Sequence, residues 1–370
     1  MKIIILGSSY PLRGGIAHFN TLLFQNLSKK HSVQMINFKR QYPKIFFPGK
    51  TQNESGDAGV KIESEILIDS INPFNWIWLG LKLRNRKPNL VIFKYWLPFF
   101  GPCFGTISAL VKLFTNTKVL AICDNVVPHE KRFGDNIFTR YAFSFTDYFI
   151  VQSTAVEKDL LKFLPDANFK NIPHPVYEIF GEKISKSIAK EKLNLKDEKI
   201  ILFFGYIRKY KGVDVLIDAM KILKDEKIKL LLVGEFYDDE KKYRGKISQN
   251  NLENFISVYS DYIPNTEVAN YFCAADVVIL PYLDATQSGI AQIAYNFNKP
   301  VIATDVGGLK EVVIDNFSGL ICKSNDATEL AKAIKKFYDL DLEEKFSRGA
   351  EIEKKKYSWS NLTNAIEGFF

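Results

Sequence analysis

A strand, a helix and a second strand follow one another between Pro281 and Glu311, and this unit constrains the fold more than any other segment. An apolar strand ends at Pro281, a Thr-Gln-Ser-Gly turn leads into a helix from about Ser288, and the strand PVIAT closes on the Gly307–Gly308 turn. The free N–H groups and the dipole at the start of a helix attract anions. This segment therefore predicts a binding site for an anion such as a phosphate ester.

The alternation of strands and helices extends through almost the whole chain. In the N-terminal half, short apolar runs predict strands at residues 3–6, 33–37, 90–94, 119–123 and 148–152. In the C-terminal half they predict strands at residues 200–204, 229–233, 255–259, 276–280, 300–304 and 319–322. Helical periodicity in that half predicts helices at residues 213–223, 243–250, 266–274, 288–296, 309–313 and 327–338. Such alternation is typical of a parallel, doubly wound α/β sheet in each half.

Length and local composition predict two domains. A chain of 370 residues exceeds one usual domain. Prolines interrupt regular structure at residues 171–177 and a lysine-rich run follows at residues 183–196, so the division is predicted between these segments. We expect two Rossmann-like domains that face each other across a cleft. Residues 40–62 lack periodicity and are predicted to form a mobile loop.

Composition limits the partners of this chain. Its formal net charge of +8 indicates either anionic partners, such as nucleotide phosphates, nucleic acid or lipid headgroups, or a solvated lysine-rich surface. No zinc finger or RNA-binding aromatic signature accompanies the charge, so nucleic acid is disfavoured. The chain lacks the roughly 18 to 20 consecutive apolar residues of a membrane span, and its N-terminus does not resemble a signal peptide. Its four cysteines lack CxxC spacing, and we expect a cytoplasmic protein with reduced thiols.

Three loops are predicted at the carboxyl ends of strands, where open parallel sheets bind their ligands. The first contains Gly14 and Gly15, which either allow a ligand to approach the backbone or form an ordinary tight turn. The second contains Arg208 and Lys211, which either neutralise a diphosphate or belong to an exposed basic loop. The third is the helix start at Ser288. Their expected convergence on one cleft favours a phosphate site.

The C-terminal half also contains three motifs in a fixed order. They are FGYIRKYKGVDVLIDA from Phe204, LLLVGE from Leu230 and PYLDATQSGIAQIAYNFNKPVIATDVGGLKEVV from Pro281. Together they resemble the C-terminal domain of glycosyltransferase family 4, whose members have the GT-B fold. The Gly14–Gly15 turn and a late helical segment at residues 357–360, similar to the family's terminal cross-over helix, extend the resemblance to most of the chain.

The resemblance implies a domain division and an activity. The implied domains are residues 1–178, residues 179–355 and a helix at residues 356–370 that crosses back onto the N-terminal domain. The implied enzyme belongs to class EC 2.4 and is a hexosyltransferase. It transfers a sugar from a UDP- or GDP-sugar to a hydroxyl acceptor with retention at the anomeric carbon. No metal or other cofactor is expected, and no Asp-x-Asp motif follows a predicted strand.

The family's donor-binding residues are only partly present. Its diphosphate-binding lysine matches Lys211, whereas Tyr206 stands where its arginine directly follows the glycine, so Arg208 is assigned instead. Its two glutamates fall at Thr286 and Ile293, which carry no carboxylate. The resemblance implies nucleotide-sugar contacts from Gly14, Gly15, Arg208, Lys211, Glu235, Thr286, Gln287, Ser288, Gly289 and Ile290.

The implied catalytic residues are Asp124, His129, Arg208 and Lys211. The family's N-terminal-domain histidine, which lies beside the sugar, aligns with Asp124, and His129 follows nearby. Arg208, Lys211 and the helix amides would stabilise the leaving diphosphate of an oxocarbenium-like transition state. A β-phosphate oxygen would accept the acceptor's proton while Asp124 or His129 contacts the sugar or acceptor. A general-base role for His129 is the alternative. His174, flanked by prolines, is expected to be structural.

Two aromatic clusters, at residues 73–78 and 93–104, lie among basic residues of the N-terminal half. They predict either contact with an anionic membrane or core packing. Membrane contact would place the enzyme at the inner face of the cell membrane, where it would extend a glycan or lipid-linked glycan in cell-surface polysaccharide biosynthesis.

The missing glutamates leave two alternatives open. One is a non-catalytic sugar-nucleotide-binding subunit, and the other is a GT-B nucleotide-sugar epimerase or hydrolase.

Overall fold

The computed structural model describes residues 1–43, 61–128 and 132–370, which form two compact units. Unit 1 contains residues 1–43, 61–128, 132–174 and 359–370, and unit 2 contains Pro175–Ser358. The chain passes from unit 1 to unit 2 within the proline-containing segment at residues 171–177. Most of the predicted loop at residues 40–62 lies outside the described residues, and so does His129.

Unit 1 is built on a parallel sheet. Its strands are β1 (Lys2–Leu6), β2 (Ser32–Arg40), β3 (Glu65–Asp69), β4 (Leu90–Tyr95), β5 (Lys118–Cys123), β6 (Tyr148–Val151) and β7 (Phe169–Asn171). Within the described residues, these seven strands pair in the order β3-β2-β1-β4-β5-β6-β7. The helices are α1 (Gly15–Ser28), α2 (Pro73–Asn85), α3 (Gly101–Lys112), α4 (Asp135–Phe143) and α5 (Thr154–Phe163).

Unit 2 contains a second parallel sheet. Its six strands are β8 (Lys199–Phe204), β9 (Ile228–Val233), β10 (Ile256–Tyr259), β11 (Val277–Leu280), β12 (Val301–Thr304) and β13 (Gly319–Cys322). They pair in the order β10-β9-β8-β11-β12-β13. The helices are α6 (Lys186–Lys192), α7 (Val213–Ile222), α8 (Glu240–Gln249), α9 (Asn265–Ala274), α10 (Gly289–Asn296), α11 (Leu309–Val312), α12 (Ala327–Asp339) and α13 (Glu343–Lys354).

The predicted fold of two parallel, doubly wound sheets is confirmed. Every predicted strand is present, with small shifts at its ends. The sequence did not predict β3 and β7. β3 is an edge strand with exposed residues, and β7 has three residues of which none is fully buried. β3 has only a three-residue apolar run and β7 has none, whereas a strand covered on both faces is marked by a longer one.

The aromatic cluster at residues 93–104 belongs to the core of unit 1. Phe93, Tyr95, Phe100 and Phe104 are all fully buried. The rings of Phe93 and Phe104 stack with their centroids 4.9 Å apart. Of the two predicted alternatives, core packing is therefore correct for this cluster. The first cluster differs, because Phe74 on α2 is 84% exposed.

The last helix, α14 (Trp359–Glu367), packs on α1 of unit 1. The side-chain nitrogens of Lys30 and His31 lie 3.1 and 3.0 Å from the Glu367 carboxylate oxygens. The ring of Phe19, on α1, lies 5.2 Å from that of Trp359. The predicted return of the C-terminal helix to the N-terminal domain is confirmed. No helix in the described part of the chain is long and apolar enough to cross a membrane.

Candidate functional site

Two glycines bring the loops after β8 and β9 together at the carboxyl edge of the unit 2 sheet. A Cβ added to Gly234 would lie only 2.1 Å from the carbonyl oxygen of Gly205, so the two backbones touch. Both glycines have positive φ angles, 114° for Gly205 and 141° for Gly234, which side chains rarely permit. Beyond them, the Ile207 N–H donates to the Glu235 carbonyl at 2.8 Å. This close approach fixes the start of the basic loop.

The basic loop is also anchored to the end of β11. Residues Lys209–Lys211 form a short 3₁₀ turn that ends at Gly212, whose φ is 68°. A Cβ at Gly212 would lie 1.8 Å from the Pro281 carbonyl oxygen. The Leu283 N–H donates to the Tyr210 carbonyl at 2.7 Å. The loops after β8 and β11 therefore form one rigid surface.

Lys211 and Ser288, which the sequence predicted to converge, are joined by Tyr282. The Lys211 ammonium donates to the Tyr282 hydroxyl at 3.0 Å, and that hydroxyl lies 3.4 Å from the Ser288 hydroxyl. Ser288 caps α10 by accepting a hydrogen bond from the Ala291 N–H. Sequence reasoning missed Tyr282, although a polar aromatic residue directly after a buried strand was a visible signal.

The charge of Lys211 depends on these neighbours. Burial lowers the pKa of its amine, but the hydroxyls of Tyr282 and Tyr210 together raise that pKa by more, and Arg208 opposes them slightly. The pKa of Lys211 therefore lies above its ordinary value. An ammonium group held at the start of a helix is suited to bind a phosphate.

Arg208 lies beside the same surface and is held by an aromatic pair. Its guanidinium carbon is 4.7 Å from the centroid of the Tyr237 ring, a cation–π distance. The rings of Tyr237 and Tyr206 lie 4.5 Å apart. Tyr206 therefore packs against the tyrosine that holds Arg208, the residue assigned in place of the arginine expected at position 206. Sequence reasoning did not assign Tyr237, because no local pattern marks it.

The remaining predicted donor contacts of unit 2 follow the strands β9 and β11. A Cβ on Gly205 would be 3.2 Å from Ile290 Cδ1 and 3.7 Å from the Lys211 ammonium, so the first turn of α10 adjoins the lysine. Glu235 is 5% exposed, and Ile293 is 4% exposed. Three further predicted contacts lie in the first turn of α10 or just before it. They are Thr286, Gln287 and Gly289.

In unit 1, the predicted glycine turn leads into α1. The helix begins at Gly15, and Gly14 precedes it with a φ of 103°. The loop before it is held by Asn37, which accepts from the Ser9 N–H at 3.2 Å and donates to the Ser9 carbonyl at 2.9 Å. Asn20 on α1 donates to the Ser8 carbonyl at 2.9 Å. Side-chain hydrogen bonds therefore fix the backbone of the loop that leads to the glycine turn.

Asp124 directly follows β5 and pairs with a lysine that the sequence analysis missed. Its carboxylate lies 2.7 Å from the ammonium of Lys94 on β4. The Lys94 side chain is 1% exposed and that of Asp124 is 12% exposed. The signal for Lys94 was a single charge inside the apolar run LVIFKY. The role of His129 stays a prediction, because that residue lies outside the described part of the chain.

A cavity of about 320 Å³ lies at the other edge of the unit 2 sheet and is not part of this site. Its lining includes Lys199 at the start of β8 and Asp276 just before β11. The ammonium of Lys186 contacts both Asp276 and Glu343, and the Tyr338 hydroxyl donates to Asp276 at 2.9 Å. Lys186 therefore joins two carboxylates in an ion-pair network that holds α6 and α13 together.

Part of the chain matches a known family. Residues 185–353 match the model of the family described as glycosyl transferases group 1. An uncharacterized glycosyltransferase of Methanocaldococcus jannaschii is 30% identical over 231 residues. That similarity covers 62% of this chain and 60% of the length of the relative.

Similarity to solved structures extends over both units. Sucrose-phosphate synthase from Thermosynechococcus elongatus has a TM-score of 0.77 at 20% identity and covers 100% of this chain and 98% of its own. Anabaena HepE in complex with UDP and glucose has a TM-score of 0.72 at 15% identity and covers 100% and 99%. The chain has the GT-B fold. The predicted GT-B fold is thus confirmed, while membership of family 4 stays a prediction.

Proposed function

We propose that this GT-B protein is a retaining hexosyltransferase of family 4 that uses a UDP- or GDP-sugar as donor. The observation that carries the proposal is the chain of contacts from Lys211 through Tyr282 to Ser288. It combines a fixed cation with the N-terminus of α10 at the carboxyl edge of the sheet, where parallel α/β folds bind phosphates. The match of residues 185–353 to group 1 glycosyl transferases supports the same assignment.

The proposed reaction breaks the bond between the anomeric carbon and the β-phosphate oxygen. Negative charge then grows on the diphosphate, and Lys211, Arg208 and the N–H groups of α10 stabilise it. The acceptor hydroxyl forms its bond to the same face of the anomeric carbon, and its proton passes to a β-phosphate oxygen. Asp124 contacts the sugar or the acceptor. Since the leaving group is neutralised by these cations, the proposal requires no metal.

The donor is either a UDP-sugar or a GDP-sugar, and position 293 does not distinguish between them. Ile293 is buried and supplies no carboxylate for the ribose. HepE, which has the same fold, is solved with UDP and glucose. UDP-glucose is therefore the first donor to test.

Donor turnover is the experiment that tests the proposed function. The purified protein is incubated with a panel of UDP- and GDP-sugars, and release of the nucleoside diphosphate is measured with and without chelator. We expect turnover of at least one donor, unchanged by the chelator, and a product with the anomeric configuration of that donor. Tight binding of UDP or GDP without turnover of any donor would instead favour the non-catalytic alternative, which the missing carboxylates support.

We also propose that the acceptor is a glycan or lipid-linked glycan of a cell-surface polysaccharide, reached at the cytoplasmic face of the membrane. The support is a stripe of exposed apolar side chains on α2, formed by Phe74, Ile77, Trp78 and Leu81. We call it the α2 patch. All four are more than a third exposed. Their spacing of three or four residues places them on one helix face. The Lys82 ammonium lies 4.8 Å from the Trp78 ring.

The charge around the α2 patch fits an anionic lipid surface. Residues 70–90 contain no Asp or Glu, and their basic residues are Lys82, Arg84, Arg86 and Lys87, of which Arg86 pairs with the carboxylate of Glu65. Apolar side chains enter the interface while the cations meet lipid phosphates. Because Leu79 and Leu83 on the same helix are fully buried, exposure of the α2 patch is not a sign of a loosely packed helix.

The α2 patch predicts a measurable affinity for vesicles. We expect the protein to co-sediment with phosphatidylglycerol vesicles in a salt-sensitive manner and not with phosphatidylcholine vesicles. The double substitution Phe74→Glu with Trp78→Glu should weaken that binding by about tenfold or more, since it removes two apolar anchors. The matched control is Ile352→Glu, at an exposed apolar residue of α13 in unit 2. Absence of salt-sensitive binding by the unmodified protein would contradict this part of the proposal.

A further inference from the structure

A buried ion pair lies at the carboxyl edge of the unit 1 sheet. Lys94 occupies the fifth position of β4, and Asp124 follows the last residue of β5, the neighbouring strand. Their charged groups are 2.7 Å apart. Ligands of open parallel sheets bind at this edge. The pair therefore lies where unit 1 would present groups to a substrate.

The surroundings of the Lys94 ammonium fix its position. Besides Asp124, it lies 3.4 Å from the Gln152 side-chain oxygen and 3.3 Å from the centroid of the Phe19 ring. Phe19 is completely buried on α1. Carboxylate, amide and ring face thus surround the ammonium on three sides. Burial lowers the pKa of Lys94, and the Asp124 carboxylate opposes that effect.

Packing alone does not explain a lysine at this position. Leu90 and Ile92 lie on the same face of β4 as Lys94, because alternate residues of a strand share a face, and both are fully buried. An apolar residue would continue that face without the cost of dehydrating an ammonium, and replacement of buried ion pairs by apolar residues is often neutral or stabilising. The charge at Lys94 therefore has a role that an apolar residue would not fulfil.

The exposure of the two partners indicates what that role is. Only Asp124 reaches the surface, since its side chain is 12% exposed and that of Lys94 is 1% exposed. Lys94 is shielded from any ligand and acts only through its partners. We propose that Lys94 is a positioning residue, which holds the Asp124 carboxylate in one orientation towards the transferred sugar or its acceptor. This inference rests on the proposed glycosyltransferase function and assigns to it a residue outside the donor-binding surface.

A double-mutant cycle tests this role. The variants are Lys94→Met, Asp124→Asn and the combination of both, assayed with the UDP- or GDP-sugar that the unmodified enzyme turns over. If Lys94 acts through Asp124, each single variant lowers kcat by about 100-fold and the double variant loses no more than Asp124→Asn alone. Affinity for the free nucleoside diphosphate should change less than about twofold, because Lys211, Arg208 and the N–H groups of α10, which are proposed to bind the diphosphate, belong to unit 2.

Two controls separate positioning from folding. Lys299→Met removes a buried lysine of unit 2, whose ammonium donates to the Ala275 carbonyl at 2.6 Å, and it should leave kcat unchanged. Thermal unfolding of each variant is measured beside the kinetics, and assays are run well below the lowest midpoint. Losses in kcat that multiply in the double variant, or wild-type kcat in Lys94→Met, would overturn the inference. If the unmodified protein turns over no donor, the proposed function itself fails and this inference fails with it.

Discussion

Replacing Lys211 by alanine is expected to lower donor turnover by about 100- to 1000-fold while the protein stays folded. A fixed cation beside the leaving diphosphate stabilises the transition state more than the ground state. Its removal should therefore lower kcat more than it raises KM. The lysine donates to Tyr282 at 3.0 Å and lies in a short turn whose backbone is held by Gly212. Its removal leaves that backbone intact. The measurement is kcat and KM for the active donor, with thermal unfolding in parallel.

The same turn supplies the matched control. Lys209 is exposed and lies two residues from Lys211, so Lys209→Ala removes an equal charge from the same loop. We expect its effect on kcat to be less than about threefold, because an exposed charge is screened by solvent. Tyr282→Phe removes only the hydroxyl that receives the lysine's hydrogen bond and should give an intermediate loss. Equal effects of Lys209→Ala and Lys211→Ala would show that general basicity, and not a specific phosphate contact, governs turnover.

The sequence was sufficient to predict those features that depend on local patterns. Buried parallel strands are continuous apolar runs, which is why β8 and β11 were found with nearly correct ends. The start of α10 was predicted from the Thr-Gln-Ser-Gly turn, and the structure shows that Ser288 of this turn caps the helix through a local hydrogen bond. The edge strand β3 was not predicted, because its sequence EILID has only three apolar residues between two acidic residues.

Features that depend on contacts between distant segments were not predicted. Lys94 lies in β4 and Asp124 directly follows the neighbouring strand β5, and only the pairing of these strands shows that the two side chains meet. Tyr282 became part of the candidate site only when the loop with Lys211 was seen to pack on the end of β11. Arg208 was assigned from a resemblance, but its support by Tyr237 follows from an aromatic contact across two loops. Such pairings have no local sequence signature.

Substituting alanine for Gly307 is expected to destabilise the folded protein more than any of the substitutions proposed above. Gly307 has a φ of 47°, and a Cβ there would lie 1.4 Å from the carbonyl oxygen of Ala285. Left-handed backbone costs alanine about 1 to 2 kcal/mol, and the overlap forces the loop before α10 to move. We expect a loss of about 3 kcal/mol or more in the free energy of unfolding, measured by denaturant titration.

Gly245→Ala is the control for this substitution. Gly245 lies inside α8, and a Cβ added there meets no atom within 4 Å. Alanine should stabilise that helix by about 0.5 to 1 kcal/mol, because glycine is the poorer helix former. Since Ala285 is three residues from Ser288, Gly307→Ala should also weaken nucleotide binding even under conditions where the protein is folded. A Gly307→Ala protein with unchanged stability and unchanged nucleotide affinity would contradict the close packing on which the anion site at α10 depends.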